Sequence, residues 1–154
     1  MARYVAGLTQ AHRLPSRPTC IPLSRPRNGS KRYGLRYERS VAERTNGQHG
    51  IWFSFYDANG PGYCQPDVLL GLEGQIVILE CKLTEVDEAR KQLAYLYVPV
   101  VSKALERPAK GIVVVRHLTR ESDPSNVCTS LGEALKRASG SYFPTLHWIG
   151  RGPI

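Results

Sequence analysis

The sequence QPDVLL, residues 65–70, is followed after four residues by QIVILECK, residues 75–82. Both runs are mainly apolar, and the glycines at either end of residues 71–74 suit a short turn, so the pattern predicts two strands joined as a hairpin. The second run is apolar at four consecutive positions, 76–79, which predicts a strand buried on both faces.

Three charged side chains are expected to meet at one edge of this hairpin. Glu80 and Lys82 are two residues apart, so they project from the same face of their strand, and Asp67 begins the neighbouring strand. Burying Glu80 without a partner would cost several kcal/mol. A divalent cation held between Asp67 and Glu80 would remove that cost, while a buried salt-bridge network of Asp67, Glu80 and Lys82 is the simpler alternative.

The arrangement Pro66-Asp67, twelve intervening residues, then Glu80-Cys81-Lys82 resembles the PD-(D/E)XK nuclease superfamily. The resemblance implies an α/β fold with a restriction-endonuclease-like core, in which a helix, three strands, a helix and a strand build a mixed central sheet. It also implies a site of carboxylate oxygens, with the Cys81 carbonyl as a further ligand. Such oxygens suit Mg²⁺ or Mn²⁺.

A helix is predicted from about residue 31 to residue 45, ended by Asn46-Gly47. Glu38 shares its small, apolar stripe, whereas Glu43 lies on an arginine-rich face. The run GLRYER, residues 34–39, resembles the Gly-x-x-x-Glu-Arg opening of archaeal-type Holliday-junction resolvases. This resemblance assigns the metal-binding acid of the first helix to Glu38; a helix glutamate bonded to an arginine is the alternative.

After Lys82, Thr84 and Asp87 have the spacing of a helix N-cap, and Pro99 should kink or divide the helix that follows. Gln92 on this helix resembles the glutamine that RecB-type and resolvase-type nucleases carry near the metal. Further elements are expected in four segments: a first strand at 51–57, a fourth strand at 111–116, a helix at 131–138 and an edge strand at 145–149.

The net charge of +8 is concentrated near the N-terminus of the 154-residue chain. Residues 1–44 hold ten Lys or Arg and two Glu, while the remainder is balanced. Four prolines interrupt residues 1–30, which predicts an extended basic arm before a nuclease domain at 31–154. We expect nucleic acid as the partner, although a solvated or partner-packed arm fits equally well. The expected contacts to phosphate are Arg13, Arg17, Arg25, Arg27, Lys31, Arg32 and Arg36.

The cysteines Cys20, Cys64, Cys81 and Cys128 have no metal-ligand or redox spacing, so we expect reduced thiols. Apolar runs are too short for a transmembrane helix. These features predict a cytoplasmic protein, and the resemblance implies a prokaryotic, archaeal or viral context.

The resemblance implies an Mg²⁺-dependent deoxyribonuclease that resolves Holliday junctions or other branched DNA as a homodimer. Asp67, Glu80 and Glu38 would bind the metal, and Lys82 and Gln92 would complete the catalytic set. Two alternatives are a RecB-type exonuclease or nonspecific nickase, and a non-catalytic nucleic-acid-binding protein on a nuclease fold. DNA and RNA are not distinguished at this stage.

Overall fold

The computed structural model describes residues 3–22 and 29–154. In these residues helices pack on both faces of a mixed sheet, which confirms the predicted α/β class. The helices are α1 (Gly29–Thr45), α2 (Asp87–Gln92), α3 (Val98–Leu105) and α4 (Leu131–Arg137), with a π-helical turn at Leu93–Tyr97 and a 3₁₀ turn at Pro124–Asn126. The strands are β1 (Gln10–Arg13), β2 (Gln48–His49), β3 (Phe53–Asp57), β4 (Gly60–Cys64), β5 (Val68–Leu72), β6 (Gln75–Thr84), β7 (Ala109–His117), β8 (Val127–Cys128) and β9 (Thr145–His147).

The strands of the described residues form two sheets. The larger has the order β2-β5-β6-β7-β9-β8, and the smaller has the order β1-β3-β4. Strand β6 pairs antiparallel with β5 and parallel with β7, so the large sheet is mixed, as predicted. The small sheet is antiparallel throughout.

The predicted hairpin forms between β5 and β6, with a tighter turn than expected. Leu72 pairs with Gln75, so only two residues connect the strands. Gly74 in that turn has φ of 74°, a conformation that glycine adopts without strain. Pairing is thus complete up to the turn, and the hairpin register is fixed.

Strand β6 is buried on both faces, also as predicted. Ile76 and Ile78 pack with Leu93 and Val100 from the helical segment after β6. Val77 and Leu79 lie on the opposite face and pack with residues of α1 such as Val41. The alternation of faces along β6 therefore places Glu80 on the side of Ile76 and Ile78, away from Val41.

Helix α1 ends where the sequence predicts. Asn46 adopts a left-handed conformation with φ of 55°, and the Gly47 N–H donates to the carbonyl of Ala42 at 2.9 Å. A Cβ atom at Gly47 would lie 2.5 Å from Val68 Cγ1, so this position requires glycine. The close approach seats the end of α1 on β5, next to Asp67.

The predicted first strand of the core is wrong in its position. Residues 53–57 do form a strand, but it belongs to the small sheet. Phe53 and Phe55 are buried and alternate with less buried residues, which suits an antiparallel sheet with one outer face. In the large sheet the strand before β5 is the short β2, and it pairs with β5 through Gln48 and His49.

The predicted N-cap at Thr84 is also wrong. Strand β6 continues to Thr84, which pairs with His117 of β7, so its backbone is extended. Helix α2 begins at Asp87, with Val86 as an N-cap that makes no side-chain hydrogen bond. The predicted division at Pro99 is wrong, because the backbone stays right-handed helical from α2 through the π-helical turn into α3, and Pro99 lies in the first turn of α3. A kink at Pro99 stays a prediction.

The predicted elements in the last third of the chain are confirmed, with one correction. The fourth strand and the closing helix are present as β7 and α4. Strand β9 is not at the edge, since it lies between β7 and β8. The two-residue β8 follows a loop and covers the outer side of β9, and so short a strand gives almost no pattern in the sequence.

Part of the predicted N-terminal arm packs into the fold. Strand β1 pairs with β3, and Ala11 is buried. Arg3 forms an ion pair with the buried Asp57 and donates to the Gly60 carbonyl at 2.8 Å. These contacts anchor residues 3–13 to the small sheet.

The cysteines are all free, as predicted, with Cys20 exposed and the other three buried. Over residues 3–22 and 29–154, none of the helices has the length and apolar character needed to cross a membrane.

Candidate active site

Asp67 and Glu80 lie side by side at one end of the large sheet. The register pairs Val68 with Leu79, and its continuation by one residue brings Asp67 opposite Glu80. Asp67 Oδ2 accepts a hydrogen bond from the Cys81 N–H at 2.8 Å. This bond fixes the Asp67 carboxylate above the start of β5, where the sequence analysis expected it.

Glu80 is a buried acid without full compensation. Its side chain is 2% exposed, and among the described residues Oε2 has no hydrogen-bond donor. Burial raises the pKa of Glu80 well above its usual value. The charge of Asp67 and a hydrogen bond that protonated Glu80 can donate to Asp67 act in the same direction, while the charge of Lys82 acts to lower the pKa. The site therefore favours a proton, or another cation, on Glu80.

Lys82 projects from the same face of β6 as Glu80. Its Nζ lies 3.8 Å from Glu80 Oε1, which is an ion pair but longer than a hydrogen bond. The Lys82 side chain is 30% exposed, so the ammonium reaches from the buried acid towards solvent. A substrate oxygen could approach Lys82 without displacing the core.

Glu38 reaches the same group from α1. Burial raises the pKa of Glu38 to about 8, assisted by the Asp67 charge and by a hydrogen bond with Asp67. The electrostatic coupling of Glu38 and Glu80 to Asp67 means that the three acids share one environment. The prediction that Glu38 faces inward is supported, while Glu43 is exposed.

His49 is a site neighbour to which the sequence analysis assigned no role. It lies on β2, and its Nε2 is 3.3 Å from Glu38 Oε1. Burial and the nearby Arg39 lower the pKa of His49, although the Asp67 charge acts in the opposite direction. Because its pKa is lowered, the His49 imidazole favours the neutral form, which can hydrogen-bond to Glu38. A lone histidine before a strand gave no signal of this contact.

Tyr97 lies on the helical side of the site region, and Gln92 precedes it on the same helical segment. Gln92 Oε1 is buried and has no hydrogen-bond partner among the described residues. Burial raises the pKa of Tyr97 above its usual range, and the charges of Glu80 and Asp67 raise it further. Tyr97 lies in the π-helical turn. A π-helical turn has a wider residue spacing than the regular helix on which the prediction was based. Its proximity to the acids was therefore missed.

The side chain of Cys81 is buried on the face opposite Glu80, together with Leu79. Its backbone N–H is already bonded to Asp67. The metal-binding role of the Cys81 carbonyl stays a prediction.

The donor set fits a hard divalent cation. All the candidate ligands offer oxygen, and the unpartnered oxygen of Glu80 is the kind of atom that such a cation satisfies. In residues 3–22 and 29–154, no group of three or more His, Cys, Asp or Glu side chains is arranged to hold a metal ion. The three acids are thus adjacent but not drawn together around one point.

The predicted phosphate contacts are spread over the chain rather than gathered at the acids. Arg13 in β1 and Arg17 are exposed, as are the α1 residues Lys31, Arg32 and Arg36. Arg17 donates to the Ile21 carbonyl, and the Arg36 guanidinium lies 5.7 Å from the Tyr33 ring centroid. The predicted contacts Arg25 and Arg27 lie outside the described residues.

Comparison of the chain with protein-family models, with curated proteins and with solved structures finds no significant match. Any function must therefore be inferred from the arrangement of the side chains themselves.

Proposed function

We propose that this protein is a divalent-cation-dependent nuclease of the PD-(D/E)XK type, which hydrolyses phosphodiester bonds in DNA. The observation that carries the proposal is Glu80: a buried carboxylate with one unpartnered oxygen, beside Asp67 and within 3.8 Å of Lys82. A structural ion pair would be expected to satisfy such an acid, since an uncompensated buried charge costs several kcal/mol. A bound cation would compensate the charge of Glu80 and would also take part in catalysis.

The order of elements in the large sheet supports the same proposal. Helix α1 is followed by β2, β5 and β6, then by α2 and α3, and then by β7. We infer from this sequence the helix, three strands, helix, strand order that the resemblance implies, with β3 and β4 of the small sheet inserted between β2 and β5. In this proposal Asp67, directly before β5, and Glu80 and Lys82 on β6 are the three residues of the family motif.

A bound Mg²⁺ would supply Lewis-acid polarisation of the scissile phosphate and a lowered pKa of an attacking water. The chain's part is to hold it: Asp67 and Glu80 offer carboxylate oxygens from the sheet, and Glu38 offers one from α1. Each acid must release any proton it holds before it can bind, so the raised pKa values of Glu38 and Glu80 make the site pH-dependent.

Lys82 would act on the substrate rather than on the cation. Its partly exposed ammonium can donate to a phosphate oxygen as negative charge develops there, or orient the attacking water. The neutral form of His49, whose Nε2 lies 3.3 Å from Glu38 Oε1, can hold the Glu38 carboxylate in place by a hydrogen bond. Gln92, with its buried amide oxygen, would orient water at the helical side.

Branched DNA is the substrate that we propose, with the four-way junction first. The excess positive charge suits a polyanion, whose phosphates can position a protein without any reading of sequence. A homodimer would place two such sites for paired cuts on a two-fold symmetric junction. A RecB-type exonuclease or nonspecific nickase would use the same residues.

A non-catalytic nucleic-acid-binding protein is the second candidate. One observation favours it: no group of three acidic, histidine or cysteine side chains in the described ranges is arranged around a metal position. In that case the acids would form a protonated hydrogen-bond network that only supports the sheet.

A cleavage assay on a matched set of substrates separates these functions. Labelled four-way junction, linear duplex and single strand are incubated with the full-length protein in Mg²⁺, in Mn²⁺ and in EDTA. Paired cuts near the branch with either metal, and none in EDTA, support the junction-resolving nuclease. Products shortened from the ends indicate an exonuclease. Binding without any cut under all conditions leaves the non-catalytic candidate.

A further inference from the structure

A cavity of about 620 Å³ lies beside α1, apart from the carboxylates. It is formed by the N-terminal half of α1, the end of β7 and the segment after β9. Its lining residues are Tyr33, Arg36, Tyr37, Ser40, Arg116, His117, Ile149, Gly150 and Arg151.

The lining carries three arginines and no acid. Among the described residues, neither Arg36, Arg116 nor Arg151 forms an ion pair with a carboxylate. Three unneutralised guanidinium groups around one cavity repel each other, so the cavity should attract an anion. Guanidinium groups match phosphate in geometry as well as in charge.

The walls of the cavity also offer flat and apolar surface. Tyr33 and Ile149 are each about half exposed, at 53% and 50%. The Arg36 guanidinium lies 5.7 Å from the Tyr33 ring centroid, which places a charge beside an open aromatic face. Phosphate beside an aromatic surface is the chemistry of a nucleotide unit in a single strand.

Three hydrogen bonds, the first of them buried, fix one side of the cavity. The Tyr37 hydroxyl donates to the Trp148 carbonyl at 2.7 Å, and the Trp148 indole N–H donates to the Gly152 carbonyl at 3.3 Å. His147 Nε2 lies 3.0 Å from the Arg116 carbonyl. These bonds tie the end of the chain to α1 and β7, so the cavity is preformed.

The cavity opens at the same end of the sheet as the candidate active site. Lys82 pairs with Val115, so Arg116 is one residue further along the neighbouring strand. Because faces alternate, Arg116 lies on the α1 side of the sheet while Lys82 lies on the other. A strand crossing this end of the sheet would meet Lys82 first and the arginines next.

We propose that this cavity binds a backbone phosphate of a single nucleic-acid strand that continues beyond the scissile position, with the adjoining base against Tyr33. The inference rests on the proposed nuclease function for its substrate, and it adds a second contact point that holds an unpaired or displaced strand. Arg116 and Arg151 bind the phosphate, and Arg36 lies between phosphate and base.

Binding measured without cleavage tests this inference. The fluorescence anisotropy of a labelled single-stranded oligodeoxynucleotide is followed in EDTA over a series of salt concentrations. The test protein carries Arg116→Ala together with Arg151→Ala. The control carries Lys103→Ala together with Arg107→Ala, which removes the same charge at the opposite end of β7. The log–log salt slope should fall by roughly 0.7 in the test protein, since one phosphate contact on a single strand contributes about 0.7, and should stay close to wild type in the control.

Tyr33→Ala separates stacking from charge. It should weaken oligonucleotide affinity by about 5- to 150-fold without changing the salt slope, as expected for one lost base–aromatic contact, and Tyr33→Phe should retain the affinity. Equal slopes in test and control proteins would overturn the inference. A wild-type protein that binds no oligonucleotide would also overturn it. A third contrary result is that deoxyadenosine monophosphate binds the cavity while the arginine changes leave the salt slope for the oligonucleotide unaffected.

The outcomes for the cavity and for the nuclease are distinguishable. A reduced slope in a protein that cuts no substrate supports the phosphate site and contradicts the nuclease. An unchanged slope in a protein that cuts DNA in Mg²⁺ contradicts only the phosphate site.

Discussion

The Nζ atom of Lys82 lies 3.8 Å from Oε1 of Glu80, yet the pKa of Glu80 remains raised well above its usual value, first because of burial and then because of Asp67. The lysine is close enough to pair with the acid and too distant to satisfy it by a hydrogen bond. The distance between the two groups follows from strand geometry, since side chains two residues apart on β6 project side by side rather than towards each other. Lys82 is thereby left able to contact a substrate.

Lys82→Ala should lower the cleavage rate by roughly two orders of magnitude or more, because it removes the group that stabilises charge on the phosphate. Single-turnover rates at saturating substrate measure this. Metal affinity should change little, since Lys82 is not a ligand. Lys103→Ala, which changes an exposed lysine on α3, is the control. Near-normal turnover in a folded Lys82→Ala protein with a lower melting temperature would assign Lys82 to a structural ion pair.

Mg²⁺ should stabilise the wild type against heat, and Glu80→Gln should remove that effect. A cation that binds only the folded state at one hundred times its Kd stabilises by about 2.7 kcal/mol. Differential scanning calorimetry with and without Mg²⁺ measures the shift. Glu43→Gln, an exposed acid on α1, serves as the matched control and should behave as wild type. An equal Mg²⁺ shift in both variants would place the cation elsewhere.

Glu38 should make the stability of the metal-free protein fall as pH rises. Its pKa is raised to about 8 from an ordinary value of 4.5, mainly by burial, so the folded state binds the proton more tightly than the unfolded state. The stability that this proton supports is fully present below about 4.5 and is lost as pH rises through about 8. Urea unfolding between these pH values should give a smaller pH slope for Glu38→Gln than for Glu43→Gln. Identical slopes would contradict the partly buried placement of Glu38 beside Asp67.

Arg3→Ala should destabilise the protein at neutral pH and less so in acid. Burial acts to raise the pKa of Asp57, but hydrogen bonds from the Ala6 and Asn59 N–H groups and from Arg3 outweigh it and hold the pKa below 3.8. The stability from this carboxylate is present above 3.8 and is lost as pH falls through the lowered pKa. Thermal melts across this range should therefore converge in acid for Arg3→Ala and wild type. Arg17→Ala is the control. If Arg3→Ala melts at the same temperature as wild type at neutral pH, residues 3–13 are not anchored through the pair of Arg3 and Asp57.

The central hairpin and α1 were predictable because each has a strong local signal. Four apolar residues in succession specify a doubly buried β6, and the Asn46-Gly47 stop specifies the end of α1. Asp67 and Glu80 follow from the same hairpin register. The spacing within two short elements thus placed the main acids together.

The remainder depends on contacts that no local pattern records. Residues 53–57 have the pattern of a strand, but which sheet they join depends on pairing with β1, more than forty positions away. The β6 extension to Thr84 depends on β7, and the approach of His49 to Glu38 depends on how α1 sits on β5. Tyr97 reaches the acids through a π-helical turn, for which regular helical spacing is the wrong guide.

The most direct test of the central claim compares cleavage of a labelled four-way junction by wild type, Glu80→Gln and Glu43→Gln over a titration of Mg²⁺. The account predicts that wild type and Glu43→Gln cut with the same Mg²⁺ dependence and are inactive in EDTA. It predicts that Glu80→Gln binds the junction with unchanged affinity and cuts at least a hundredfold more slowly, roughly the loss expected for a metal-binding or electrostatic group. Full cleavage by Glu80→Gln, or by the wild type in EDTA, would contradict it.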